Sequence, residues 1–333
     1  MPIGHSCDVG DYVVALAWAP DGRSLAAASG EGGIAIIDAT SGTIRQRLAG
    51  HDRGISALAW RPDGHVLASG GHDGLVRRWD AESGEPHDPL PVGKGWVEQV
   101  GWSNAGSYLA ASAGKRVRCW DNAGELVRDW DAHDSTVTAL RWHPTGEELV
   151  AAFYGGLARW TPYQSTPVAR HAWKGSVLTV EWSPDGRYIA TGDQDSTMHF
   201  WTIADGRSLQ MWGYLTKVQH LAWDPTARFL ATGGSETVTV WDCQPSPEGT
   251  KPLMFEAHEK VVSALAYQRR GSLLLSGGRD GRVFLWQPGR RSQALGRLST
   301  GSPISAVAWH PDDVRFAVGA ENGTVFVMSS ART

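Results

Sequence analysis

A short strand ending in an aromatic residue, followed at once by a tight turn, returns eight times along this chain. The aromatic residues are Trp18, Trp60, Trp102, Trp142, Trp182, Trp223, Tyr267 and Trp309, spaced by steps of 40 to 44 residues. Behind them come Pro20-Asp21-Gly22, Pro62-Asp63-Gly64, Pro184-Asp185-Gly186 and looser versions such as Asn104-Ala105-Gly106 and Pro144-Thr145-Gly146. Proline presets φ for such a turn, aspartate bonds back to its own backbone, and glycine accepts the exit geometry. The stretch from Gly50 to Asp80 shows one whole unit. Ile55 to Trp60 alternates, Val66 to Ser69 is a second short apolar run, and Leu75 to Trp79 is a third after the tight Asp73-Gly74 turn. Short apolar runs bounded by Pro, Asp and Gly are strands rather than helices. A lone three-stranded meander leaves its faces uncovered, so it must stack on copies of itself.

The third strand of most units ends in Trp followed by a polar residue: Trp79-Asp80, Trp120-Asp121, Trp160-Thr161, Trp201-Thr202, Trp241-Asp242 and Trp286-Gln287. The first and eighth units have Ile37-Asp38 and Met328-Ser329 there. A period near 41 carrying Gly-His and Trp-Asp resembles the WD-repeat β-propeller family over essentially all 333 residues. The resemblance implies an all-β chain forming one eight-bladed propeller of four-stranded antiparallel blades. The first three strands of its units are expected near 11-38, 53-80, 96-121, 136-161, 176-202, 217-242, 260-287 and 303-328. Fourth, outer strands fit Thr43 to Leu48, Glu125 to Trp130 and Ser208 to Trp212. Glu85 to Val92 is a poorer one because it holds Pro86, Pro89 and Pro91. No outer strand is left for the last unit, so Pro2 to Cys7 is expected to close the ring by pairing with it. The alternative is a seven-bladed ring with a divergent unit outside it. Gln244 to Pro252, with three prolines and a glycine, reads as an exposed connector.

Composition excludes several function classes. The net charge is −4 with acidic and basic residues interspersed, which is not a nucleic-acid footprint. No apolar run approaches 18 residues, so no membrane span is expected. Met1 to Gly10 lacks a basic region followed by an apolar core, so no secretory signal is expected. Cys7, Cys119 and Cys243 form no spaced framework and read as reduced cytoplasmic thiols.

Two sets of residues have the types of a nucleophilic triad: Ser69, His51 and Asp73 in the second unit, and Ser276, His258 and Asp280 in the seventh. Both sit at one register of the repeat, with Trp79 or Trp286 as a fourth member. The family resemblance implies a buried structural tetrad, Asp to His to Ser to indole, rather than a catalytic site. No Gly-x-Ser-x-Gly elbow accompanies either serine. Elsewhere the histidine position, nine before the first-strand aromatic, holds Val9, Gly93, His133, Trp173, Tyr214 and Thr300. The turn aspartate persists at Asp195 but becomes Gly114, Gly155 and Ser235 in the third, fourth and sixth units.

The resemblance also implies that the face carrying these loops is where a partner binds. Trp96, Tyr154, Trp173 and Tyr214, with Lys94, Lys174 and Lys217 among them, form the candidate patch, because loop aromatics ringed by charge bury area at low entropic cost. Trp173 and Tyr214 have a second reading, as fillers of the vacant histidine position. His72 and Arg279 form a weaker candidate group. The sequence therefore points to a non-enzymatic scaffold for a protein or peptide, with no cofactor, nucleic acid or membrane partner. The alternative is a propeller with a metal-linked or hydrolytic site in the channel mouth. His5 and Cys7 are possible metal ligands, but one short cluster cannot complete a tetrahedral site, and no metal is expected.

Overall fold

A computed structural model describes residues 3–131, 133–244 and 246–330. Every regular element in it is a β-strand. The second unit shows how sequence becomes blade. Ile55–Trp60, Val66–Gly71 and Leu75–Asp80 pair in antiparallel order through the two anticipated turns. Its prolines shorten the outer strand to Leu90–Pro91, with one isolated bridge between Trp79 and Pro86. The other outer strands anticipated run Ile44–Leu48, Leu126–Trp130 and Ser208–Met211.

The innermost strands of successive units pack side by side and close on themselves, since Val13–Trp18 contacts both Ile55–Trp60 and Ile304–Trp309. Apolar side chains of neighbouring units fill the spaces between them. Val13, Leu25 and Ile37 of the first unit, for instance, meet Ala317, Val325 and Val327 of the last in one buried cluster. Several first-strand tryptophans also tie their unit to the one before it: Trp60, Trp142 and Trp309 donate their indole N–H to the carbonyls of Ala17, Gly101 and Ala266. Closure is made by Ile3–Asp8, which pairs antiparallel with Thr324–Ser329 and supplies the last sheet's outer strand. Pro2, included in the expected closing segment, lies outside the described residues.

The expectation of eight separate four-stranded blades needs correction. Among the described residues, hydrogen bonding forms seven sheets, six of four strands and one of six, so the blade count by sheet is the seven held as the alternative. No repeat unit is expelled from the ring to reach that number. Instead the fourth and fifth units share one sheet, through the 12-residue strand Leu149–Trp160 and the 14-residue strand Ala169–Trp182. The fourth unit has Gly155 where others carry the turn aspartate, and the fifth has Trp173 in place of histidine. Tyr154 pairs with Ser176 in the antiparallel ladder, and the two units become continuous. Gly155 and Gly156 hold φ of +107° and +130°, and a side chain on Gly156 would collide with the carbonyl of His171. In the connector after the sixth unit, Thr250 N–H donates to Pro247 O at 3.1 Å; Pro245 lies outside the described residues.

Candidate partner-binding face

The loops entering each inner strand and the turns between second and third strands lie together at one end of the ring. Where the sequence repeats the tetrad, the structure links all four members in the seventh unit and the Asp–His–Ser part in the second. In the seventh unit Asp280 meets His258 Nδ1 at 3.2 Å, His258 Nε2 meets Ser276 Oγ at 2.8 Å, and Trp286 donates to that hydroxyl at 2.9 Å. In the second unit His51 stands 2.8 Å from Asp73 and 2.7 Å from Ser69, with Trp79 buried in the adjoining cluster. Ser69 and Ser276 are fully buried, so neither hydroxyl can meet a substrate. Desolvation lowers the pKa of both histidines against the opposing pull of their aspartates.

Three other units keep the position but change its chemistry. His133 has lost both Ser and Asp; its Nδ1 bonds Lys115 O at 3.0 Å, and Trp160 donates directly to its Nε2 at 3.2 Å. Tyr214 fills the histidine position of the sixth unit, accepting from Trp241 at 2.7 Å and bonding Thr232 Oγ1 at 2.9 Å. Burial pushes its phenol up to about 12. Trp173 lies over His199 with ring centroids 4.0 Å apart, and His199 pairs with the buried Asp193 at 2.7 Å. Both aromatics thus occupy the vacant imidazole positions, in line with the filler reading, and each is only partly accessible.

Trp96 and Tyr154 behave differently. They are 58% and 59% exposed. Trp96 stacks on His72 of the preceding unit at 4.1 Å between ring centroids, and His72 is held by Ser56 Oγ at 3.1 Å. Tyr154 has its backbone N–H fixed by Ser135 Oγ at 2.8 Å. Lys94, Lys174 and Lys217 are all exposed, as is Arg279 of the weaker group. Between the second and fourth units a cleft of about 510 Å³ opens beside Gly93 and Gly114.

Sequence reasoning missed several features. Leu215 and Trp212, 88% and 73% exposed, flank Tyr214. Lys115 and Arg116 line the cleft, and their adjacency to the shortened Gly114 turn was the available signal. Nearer the axis, Arg141 reaches across three units to Glu181 at 2.6 Å and Gln99 at 3.1 Å; Arg141 and Glu181 stand where the other inner strands place alanine or glycine before the aromatic residue. Cys7 packs on the cluster between first and last units, while His5 is exposed. Among the described residues no group of three or more His, Cys, Asp or Glu is arranged to hold a metal ion, and no helix is long and apolar enough to cross a membrane.

Comparison with known proteins agrees with this architecture. The family model for the WD domain, G-beta repeat, matches residues 42–80, 87–121, 124–159, 165–202, 207–242, 249–287 and 293–328. That for the anaphase-promoting complex subunit 4 WD40 domain matches 4–53. Similar curated proteins include telomerase protein component 1 of Rattus norvegicus, 28% identical over 61% of this chain and 8% of that protein. A Protein LST8 homolog of Drosophila melanogaster is 27% identical over 42% of this chain and 45% of its own. Eukaryotic translation initiation factor 3 subunit I of Pyricularia oryzae is 22% identical over 60% and 62%. The chain therefore spans less than two thirds of each of these relatives. A computationally designed protein, Ika8, superposes with a TM-score of 0.84 over 97% of both chains at 22% identity, which speaks to fold alone.

Proposed function

Because the chain belongs to the WD-repeat family, its repeat machinery accounting for the tryptophans and tetrads, we propose that it is a non-enzymatic scaffold holding a protein or peptide partner on its loop face. The observation that carries this reading is the exposure of Trp96 and Tyr154, each more than half accessible while held by a neighbouring segment, Trp96 by His72 and the Tyr154 backbone by Ser135. Large aromatics held ready on a preformed surface contribute binding energy without an ordering cost. Lys94, Lys174 and Lys217 supply a charged rim. Relatives whose names describe a subunit of an initiation factor and a cofactor of the APC complex support an assembly role by kinship.

The test is capture of partners from a native lysate by the wild-type chain and by Trp96→Ala/Tyr154→Ala, alongside their melting temperatures. The double variant should lose its partner with an unchanged melting temperature. Equal capture by both would remove these aromatics from the interface. We also assign the protein to a reducing, cytoplasmic compartment, because Cys7, Cys119 and Cys243 are all free thiols. Labelling of fewer than three thiols in freshly denatured, unreduced protein would refute that.

A further inference from the structure

We propose that the cleft of the third unit binds an anionic side chain of an extended peptide, with an apolar neighbour in that peptide resting on Trp96. This rests on the loop-face reading and adds the chemistry of what that face recognises.

The cleft exists because the third unit has given up its tetrad. Where the second unit carries His51 and Asp73, the third carries Gly93 and Gly114. A third position changes with them. Gly71 and Gly278 lie so close to the imidazoles of their units that a Cβ on either would collide with His51 or His258. The corresponding residue of the third unit is Ala113, whose methyl group has room because no imidazole is there. A Cβ built on Gly93 would meet nothing nearer than Arg116 Cδ at 3.7 Å and Ala113 Cβ at 4.0 Å. An open cleft of about 510 Å³ lies beside Gly93 and Gly114, within the range of small-ligand sites.

The lining gives that space its sign. Lys94, Lys115 and Arg116 contribute three cations, against Asp131 in the lining and Asp129 just behind it, which also pairs with Arg116. Lys115 Nζ donates to the carbonyl of Asp134 at 2.8 Å, a bond that fixes the ammonium without neutralising it. Arg116 is shared between Asp129 at 3.2 Å and Asp131 at 3.7 Å. Lys94 is exposed at the rim, two residues before Trp96. A chain of net charge −4 therefore presents a locally cationic opening beside its stacked indole. Charge complementarity selects an acidic occupant, and the indole selects an apolar side chain next to it.

The experiment is fluorescence anisotropy with three fluorescein-labelled dodecapeptides of one sequence containing two phenylalanines. Four positions are all glutamate, all phosphoserine or all glutamine. Four proteins are compared: wild type, the cleft reversal Lys94→Glu/Lys115→Glu, the refilled cleft Gly93→His/Ala113→Gly, and the far-side reversal Lys251→Glu/Lys260→Glu. The glutamate or the phosphoserine peptide should bind wild type at least tenfold more tightly than the glutamine peptide, and whichever is tighter identifies the anion. The cleft reversal and the refilled cleft should each abolish that advantage, while the far-side reversal keeps most of it. The refilled variant keeps every cation, so it judges the cavity even if the reversal fails to fold. The proposal is overturned if neither anionic peptide exceeds the glutamine peptide, or if the far-side reversal weakens binding as much as the cleft variants do. Should Trp96→Ala/Tyr154→Ala lose its cellular partner while the cleft variants leave peptide binding unmoved, the scaffold reading stands and the cleft falls.

Discussion

Trp286 donates its indole N–H to Ser276 Oγ at 2.9 Å, and the same hydroxyl meets His258 Nε2 at 2.8 Å, so one buried oxygen joins the third strand of the seventh unit to the loop that enters it. Asp280 then ties the imidazole to the tight turn. Four polar side chains are removed from water together, and each is tolerable there only because the others satisfy it.

Removal of the central histidine should therefore be costly. His51→Ala and His258→Ala should each lower stability by about 1–3 kcal/mol, the cost of leaving buried partners unpaired. Denaturant unfolding of the single variants checks this. The cycle of His258→Ala with Ser276→Ala should show a coupling above about 0.5 kcal/mol, because the two groups share one network. Additive effects would mean that the tetrad does not act as a unit.

Tyr214 does in one side chain what His and Ser do in two. Its hydroxyl accepts from Trp241 and bonds Thr232, bridging the same elements that the seventh unit joins through His258 and Ser276. Tyr214→Phe keeps the ring but strands the indole N–H, and should cost roughly 1–3 kcal/mol. Partner capture should be unaffected, since the phenol is turned inward. A Tyr214→Phe variant of wild-type stability that loses its partner would instead place this residue in the interface.

His133 gives the fold a pH dependence of definite sign. Trp160 donates to Nε2 while Nδ1 faces the Lys115 carbonyl, so the ring is neutral, with the proton on Nδ1. Burial lowers its pKa to about 4, from the 6.5 of a free histidine. Between these values the unfolded chain binds the proton and the folded one does not. Stability is complete above pH 6.5 and is lost as pH falls toward 4, by up to about 1.4 kcal/mol per pH unit for this one residue. Asp193 opposes the trend, because burial raises its pKa and a proton there favours the folded state. Chemical denaturation of wild type and His133→Gln at pH 7 and pH 4.5 should show the smaller pH effect in the variant. Equal effects would mean that His133 is not neutral in the folded protein.

Much of this architecture is legible in the sequence, for a physical reason. Each unit must repeat the residues that make its turns and fill the space against its neighbour, so the pattern is restated eight times and survives local loss. The merger of the fourth and fifth units was not legible. It depends on Tyr154 and Ser176 pairing through their backbones, and backbone hydrogen bonds leave no residue type behind. The Asp193–His199 pair escaped because neither residue stands at the tetrad register. Trp96 could be picked out as a loop aromatic, but its platform, His72, comes from the preceding unit. The cleft at Gly93 was visible only as a missing histidine. Two of its cations, Lys115 and Arg116, lie on a different turn, and only the folded ring brings them to Gly93 and Lys94.

Ring closure is the most exposed of these dependencies. Ile3–Asp8 pairs with the last strand through His5 with Val327, Ser6 with Phe326, Cys7 with Val325 and Asp8 with Thr324. Cys7 also packs on the apolar cluster shared by the first and last units. Without this strand, Thr324–Ser329 becomes a bare edge whose backbone groups have no partner, a template for pairing with another chain. Deletion of residues 1–8 should cost on the order of 3–5 kcal/mol, at about 1 kcal/mol for each lost backbone hydrogen bond together with the lost packing. It should also make the protein associate in sedimentation experiments. A synthetic peptide of residues 1–10 added in trans should restore both the melting temperature and the monomer, because the groove beside the last strand is left empty rather than rebuilt. If the truncated protein melts like the full chain, the ring is held shut by the contact of Val13–Trp18 with Ile304–Trp309 alone, and the terminal strand is an accessory.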